Sequence, residues 1–359
     1  MHRAIKRFAA RWPFLTPRTI VQSMLTVTMA AAFLAPGCST RTRLASARQQ
    51  YYSGNFSAAY NILSTRTPGK TDRVLWLMEK GSALQALNKY KESTRTWLRA
   101  VALAEQLDYY SLSRSTESML INDSVIAYRG TPYERTLLRT FLSFNYLARG
   151  MWDGAAVEAR NIVYRLDSLK GFPDDPFSRY VAGVCFEFSR EYEAAVFQYK
   201  KVSELIDKPS INPVNGRFNN PDRALDTQDG QKQLICFILI GKAASQTDGA
   251  PSRPPGEYAE VFYRGRYLGR SRELVNTGSL REATNRKIAA MRETRKIARI
   301  IAKDAISDAV SDKNDFLGEI LRLILFSLET PDVRHWSSLP LSCQVARIDC
   351  PDNLKEYTL

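Results

Sequence analysis

The sequence has few residues that could carry out chemistry. It contains two histidines, His2 and His335, and five cysteines among its 359 residues. The Gly-x-Ser-x-Gly and His-Glu-x-x-His motifs, which hold a nucleophilic serine or a catalytic zinc ion, do not occur. No two cysteines have the Cys-x-x-Cys spacing of a structural zinc site. The sequence therefore predicts a protein that is not an enzyme, with no cofactor and no metal; a hydrolase of the cell envelope is the least favoured alternative.

The chain is basic, with 51 Lys and Arg residues against 37 Asp and Glu residues and a net charge of +14. Residues 1–37 contain five of the basic residues and no acid, so the remainder of the chain keeps a net charge of +9. A charge of this size favours anionic neighbours such as lipid headgroups or acidic proteins. The sequence has no stripe of Lys and Arg residues interleaved with aromatic residues, the pattern that binds a phosphate backbone. No nucleic-acid partner is therefore predicted.

The N-terminus has the layout of a secretory signal peptide. A basic stretch is followed by the apolar run Ile20–Ala35 and then by Pro36, Gly37 and Cys38. The run is shorter than the roughly 20 residues that a membrane-spanning helix needs, and it carries several polar side chains. Residues 1–37 are therefore predicted to be a signal peptide.

The end of this segment resembles the lipobox of bacterial lipoproteins, whose cysteine receives a diacylglycerol before cleavage. The matching residues are Leu34, Ala35, Gly37 and Cys38. The resemblance implies that Cys38 is lipidated and anchors the chain to a membrane. Because Ser39, and not an aspartate, follows Cys38, it also implies the periplasmic face of the outer membrane.

A short pattern recurs four times after residue 41: a turn residue, an aromatic residue two positions later, and Ala or Ser three positions after that. The copies are Gly54-Phe56-Ala59, Asn88-Tyr90-Ser93, Gly150-Trp152-Ala155 and Arg190-Tyr192-Ala195. The first two copies are 34 residues apart, which is the period of tetratricopeptide (TPR) repeats. Gly and Asn suit a left-handed turn between paired helices, whereas Arg190 suits it less well. The pattern predicts a mainly α fold, with a TPR-like array of helical hairpins over residues 38–206.

The spacing between the second and third copies is irregular and predicts an insertion over residues 105–135. Within it, Thr131 and Glu134 flank Pro132 in an arrangement typical of a helix start. Residues 207–232 are rich in Pro, Asn and Gly and predict a linker.

The remaining residues, 233–359, predict a smaller α+β domain. The expected elements are a strand over 233–243, a hairpin over 258–267 with its turn at Arg264-Gly265, and helices over 280–309 and 316–328. Cys185 and Cys236 lie in apolar runs and are expected to be buried. Cys343 and Cys350 are the plausible local disulfide pair in an oxidising compartment.

Several separated motifs between roughly residues 115 and 348 resemble a family of bacterial TPR-containing envelope lipoproteins. They are Asn122-Asp123, Tyr128 with Gly130, Tyr133-Glu134-Arg135, Asn145-Tyr146, Val157 to Arg160, Arg295 to Lys303 and Pro331 to Ile348. Members of this family are found near lipoproteins that resemble activators of cell-wall synthases. No reaction is established for the family. The resemblance implies an interaction scaffold in envelope or peptidoglycan assembly.

The predicted partner is an envelope protein, either another lipoprotein or an outer-membrane complex, bound in the concave groove of the array. The candidate binding residues are Asn122, Asp123, Tyr128, Tyr133, Glu134, Arg135, Tyr146 and Trp152. A second interpretation of the polar members is a network that caps helices and ties the insertion to the array. A structural subunit of an outer-membrane complex is the alternative function.

Overall fold

The computed structural model describes residues 36–65, 68–114, 127–219, 232–242, 257–305 and 334–349. Among the predicted features, residues 1–35, Asn122, Asp123, Cys350 and the helix over 316–328 lie outside these ranges. Within them, no helix combines the length and the apolar character that crossing a membrane requires.

Eight helices of the described residues pair in sequence order into four hairpins. They are α1 (Pro36–Tyr52) with α2 (Phe56–Ser64), α3 (Arg73–Ala86) with α4 (Tyr90–Arg114), α5 (Pro132–Leu147) with α6 (Trp152–Ser168), and α7 (Pro176–Phe188) with α8 (Tyr192–Leu205). Each hairpin turn holds one residue with positive φ, namely Gly54, Asn88, Gly150 and Arg190. The predicted TPR-like array is confirmed, and Arg190 adopts the left-handed conformation at φ 66° despite its side chain.

Small residues allow the two helices of each hairpin to approach closely. The Ala or Ser of each repeat copy is fully buried, as the pattern predicts: Ala59, Ser93, Ala155 and Ala195. At Gly81 a Cβ atom would lie 2.1 Å from Nε1 of the buried Trp97, so the α3 backbone leaves room only for glycine. Gly183 of α7 has the same relation to Tyr199 of α8, at 2.7 Å.

The insertion is shorter than predicted. Helix α4 continues to Arg114, and α5 already begins at Pro132, so both ends of the range 105–135 are helical. Leu107 of α4 lies inside this range and packs against the hydrophobic core, so the apolar face of the helix continues past the predicted start of the insertion. The predicted helix start at Thr131 is confirmed, because Thr131 and Glu134 form a capping box with Pro132 at the first helical position.

The first part of the predicted linker is packed against the last hairpin. Ile211 is buried and forms a β-bridge with Phe218. The Tyr180 hydroxyl donates to the Gly216 carbonyl oxygen at 2.7 Å, and the Tyr180 ring stacks on Phe218. The linker prediction is therefore wrong for residues 207–219, because aromatic contacts from α7 hold this loop in place.

The remaining described elements form two small antiparallel sheets and one helix. They are β1 (Gln233–Ile240), β2 (Glu260–Tyr263), β3 (Arg266–Arg270), β4 (Arg272–Asn276), α9 (Thr277–Ala305) and β5 (Ser342–Asp349). One sheet has the order β1-β5-β4, and β2 pairs with β3 across the predicted Arg264-Gly265 turn. The last strand is therefore the central one, and Gln233 of β1 pairs with Asp349 of β5.

The sheet shares its core with the helical array, so the predicted second domain is not independent. Phe237 of β1 stacks on Phe144 of α5, with 4.7 Å between ring centroids, and meets Phe177 of α7 edge-on. Val345 of β5 belongs to the same buried cluster as these helices. The opposite face of the sheet packs on the β2–β3 hairpin through Val261 and other apolar residues.

The predicted disulfide is incompatible with the extended conformation of β5. Asp349 lies six positions after Cys343 in the strand, a distance of about 20 Å at the usual rise per residue. A disulfide requires Cα atoms within about 7 Å of each other, and Cys350 directly follows Asp349. Cys343 and Cys185 are free and fully buried, and Cys236 is buried as predicted. Burial raises the pKa of the Cys185 thiol to about 12.

Candidate functional site

The groove of the helical array is occupied by the chain itself. Residues Arg334–Leu341, here called the groove segment, run directly into β5 and contact the first helix of each of the first three hairpins. The Arg48 guanidinium of α1 donates to the His335 carbonyl oxygen at 2.9 Å. Glu79 of α3 accepts hydrogen bonds from the Ser337 and Ser338 backbone amides at 3.0 and 3.2 Å.

Trp336 is the central side chain of the groove segment and is only 1% exposed. Its ring meets Trp97 and Phe141 edge-on, at centroid distances of 5.9 and 5.7 Å. Its indole nitrogen donates to the Ser82 hydroxyl of α3 at 3.0 Å. Such a side chain both fills the groove and satisfies its one polar atom, which is typical of an intramolecular core contact.

Glu134 of α5 joins the start of its own helix to the groove segment. One carboxylate oxygen accepts from the Tyr128 hydroxyl, the Thr131 backbone amide and the Thr131 hydroxyl, each at 2.7 Å. The other oxygen accepts from the Trp336 backbone amide at 2.7 Å. A fully buried carboxylate with four donors fixes the segment relative to α5. Arg334 adds a link to Asp72 at 2.9 Å.

Four of the six predicted binding residues that lie in the described ranges are buried and are inaccessible to a partner protein. They are Tyr128, Tyr133, Glu134 and Arg135. Burial raises the pKa of Tyr133 well above its ordinary value, and Arg135 is paired with Asp108 at 2.5 Å. Of the two interpretations from the sequence, the network that caps a helix and ties the array together fits these contacts, and the open concave groove is wrong.

Tyr146 and Trp152 lie in the third hairpin, away from the groove segment. Tyr146 packs over Gly154, where a Cβ atom would lie 2.6 Å from its ring, and burial raises its pKa. Trp152 is 41% exposed at the first position of α6. Of the predicted aromatic anchors within the described residues, Trp152 is the one that reaches the surface to this extent.

Trp152 is part of a larger apolar surface at the turns of the last two hairpins. The surface, here called the turn-edge patch, consists of Met151, Trp152, Phe188 and Tyr192, all exposed. The rings of Trp152 and Phe188 stack at 4.8 Å with an interplanar angle of 14°. The repeat pattern contains Trp152 and Tyr192, but it holds no signal for Met151 or Phe188, whose exposure depends on how neighbouring hairpins stack.

The hairpin turns lie along one edge of the array. Three contacts connect neighbouring hairpins near their turns: Lys89 over the Tyr60 ring at 5.2 Å, Gln85 to Asn145 at 2.9 Å, and the Trp152–Phe188 stack. Helix α1 runs toward this edge over 17 residues, about 25 Å of helix. Cys38, in its first turn, therefore lies at the opposite edge of the array.

The described residues contain no group of three His, Cys, Asp or Glu side chains that could hold a metal ion. His335 contacts the Ser337 hydroxyl at 3.1 Å, but Ser337 is buried among the groove contacts. A serine without access to substrate is a poor nucleophile, so this pair offers no catalytic site.

No protein-family model and no curated protein matches the chain. Two crystal structures of nearly identical TPR-like repeats from a kinesin light chain of Podosopora anserina resemble part of it, at 12% and 13% identity. Each likeness covers 46% of this chain and 93% of the solved chain, with a TM-score of 0.25. A TM-score this low does not establish a shared fold. The TPR-like assignment therefore rests on the hairpins, turns and buried small residues described above.

Proposed function

We propose that the chain is a non-enzymatic scaffold, anchored by a lipid on Cys38 at the periplasmic face of a bacterial outer membrane. It binds another envelope protein, a lipoprotein or a component of an outer-membrane complex, through the turn-edge patch. The observation that carries the proposal is the exposed Trp152–Phe188 stack on two neighbouring hairpins. Contiguous exposed apolar surface marks interaction sites, and Trp and Tyr are enriched among the residues that dominate binding energy.

The geometry of the array supports this arrangement. The groove is filled by Trp336 and its neighbours, so a partner needs another surface. The turn-edge patch lies at the edge opposite Cys38, about one helix length away. An anchor at Cys38 would thus leave the patch facing away from the membrane, where a partner protein can reach it.

Trp152→Ala is expected to reduce partner capture by about thirtyfold, the equivalent of about 2 kcal/mol for a dominant interface aromatic. The full chain would carry a photo-crosslinking amino acid in place of Tyr192 and would be activated in intact cells. The yield of crosslinked partner is then compared between the variants.

Tyr164→Ala is the matched control, because Tyr164 lies on the same helix, is 75% exposed and is outside the patch. Thermal melting of both variants checks that loss of the Phe188 stack has not unfolded the third hairpin. Equal crosslink yields from Trp152→Ala, Tyr164→Ala and the unchanged chain would contradict docking at the patch.

Cys38→Ser is expected to abolish incorporation of radiolabelled fatty acid and to release the chain from the membrane fraction. The reason is that each buried methylene of an acyl chain contributes about 0.8 kcal/mol to membrane binding. Ser39→Ala is the control and should keep the label. If the label remains in Cys38→Ser, or never enters the unchanged chain, the lipid anchor is wrong.

A further inference from the structure

A cluster of charged side chains lies between α4, α5 and α6, at the edge of the array opposite the turns. Its ion pairs are Arg135–Asp108 at 2.5 Å, Arg129–Asp108 at 3.5 Å, Arg139–Glu105 at 3.0 Å and Arg139–Glu158 at 3.1 Å. Arg165, near the end of α6, adds a fourth arginine to these three acids. Among the described residues the cluster therefore holds one cation more than it holds anions.

Within the described part of the chain, Arg165 is the arginine of this cluster that forms no direct ion pair. It is half-buried, its Nε atom is buried without a hydrogen-bond partner, and the described structure shows no ion pair to its guanidinium. Burial, followed by the neighbouring charges of Arg135 and Arg139, lowers its pKa to about 10. A partly desolvated cation beside two like charges is unfavourable unless an anion joins it.

The acids of the cluster are already engaged. Glu158 is buried and is bound by Arg139 and Asn161, and burial raises the pKa of its carboxyl group. Asp108 accepts from Arg135, and Glu105 accepts from Arg139. Asp108 and Glu105 therefore act on Arg165 only through their more distant charges, without a direct ion pair, and a ligand anion that contacts its guanidinium would be stabilised there.

We propose that Arg165 binds a phosphate group, with the positive charges of Arg135 and Arg139 beside it. The guanidinium group presents N–H donors in a planar fork that matches two oxygens of a phosphate. Phosphate could come from a soluble phosphate compound or from a lipid headgroup. Binding of a lipid headgroup rests on the proposed anchor, which would hold this edge of the array at the membrane, because Cys38 lies at the same edge.

The first test measures the melting temperature of the purified full chain while inorganic phosphate is titrated at constant ionic strength, with chloride as the balancing anion. The unchanged chain should be stabilised by phosphate. Arg165→Gln should lose tenfold or more of the phosphate affinity, on the order of the loss of one charge-assisted hydrogen bond. Arg165→Lys, which keeps the charge, should retain part of it.

Arg160→Gln is the matched control, since Arg160 lies on the same helix, is exposed and pairs with Glu191. It removes the same charge and should respond to phosphate like the unchanged chain. The second test measures binding to vesicles of phosphatidylcholine with and without phosphatidylglycerol. A loss in Arg165→Gln with vesicles alone identifies a headgroup, and a loss with phosphate alone identifies a soluble phosphate compound.

Equal responses of the unchanged chain, Arg165→Gln and Arg160→Gln in both tests would overturn the site. This failure can be told apart from failure of the proposed scaffold. Acyl labelling of Cys38 and crosslinking at the turn-edge patch do not involve Arg165, so each can succeed without the phosphate site.

Discussion

Replacing Trp336 by alanine is expected to lower the free energy of unfolding by about 4 kcal/mol, as for other buried aromatic side chains. The indole is 1% exposed and contacts Trp97 and Phe141, so its removal leaves a cavity between the groove segment and the helices. It also leaves the Ser82 hydroxyl without the indole donor. Urea unfolding of the full chain, followed by circular dichroism, measures the change.

Two variants make the Trp336 result specific. Trp336→Phe keeps a ring in the groove and loses the hydrogen bond, so it should cost about 1 kcal/mol for the bond plus a smaller packing term. Trp152→Ala removes an equally large side chain from the surface and should cost far less. If Trp336→Ala and Trp152→Ala were equally stable, the groove segment would not be part of the core.

Glu134→Ala is expected to cost about 3–5 kcal/mol, the range found when one member of a buried charged network is removed. The Tyr128 hydroxyl, both Thr131 donors and the Trp336 amide would all lose their acceptor. Because helix α5 begins at this network, the loss also removes its capping box. The same urea unfolding experiment gives the change in free energy.

Glu191→Ala is the control for removing a carboxylate, since Glu191 makes a solvent-exposed pair with Arg160 and should change stability by less than about 1 kcal/mol. The double variant of Glu134 and Trp336 should be less destabilised than the sum of the single variants, because both residues hold the same groove segment against the helices. Strict additivity, or a Glu134→Ala effect no larger than that of Glu191→Ala, would contradict the role assigned to Glu134.

The sequence could predict the hairpins because their signals are local. A turn residue, an aromatic residue and a small residue recur within six positions, and the same spacing brings Ala59 and Ala195 into equivalent buried places. The Arg264-Gly265 turn was predictable for the same reason, since it joins adjacent strands. The insertion and linker boundaries were less predictable, because the aromatic contacts of Tyr180 with residues 207–219 are tertiary.

The candidate site was only partly predictable. Trp152 was chosen as an aromatic residue of a repeat, and it lies on the exposed edge. Tyr128 and Glu134 lie in motifs of the predicted insertion, and both are covered by the groove segment. Nothing local distinguishes the two cases, because the residues that cover Glu134 lie 202 positions further along the chain.

The local sequence is enough to predict a mainly helical chain with four TPR-like hairpins, a following region of strands and helices, and few residues suited to catalysis. Two features are seen only in the folded chain: Arg334–Leu341 fill the groove of the hairpins, and the last strand, β5, is the central strand of its sheet. The physical reason is that burial and strand pairing depend on which distant segments meet. Local periodicity shows that a face is apolar, but not what covers it.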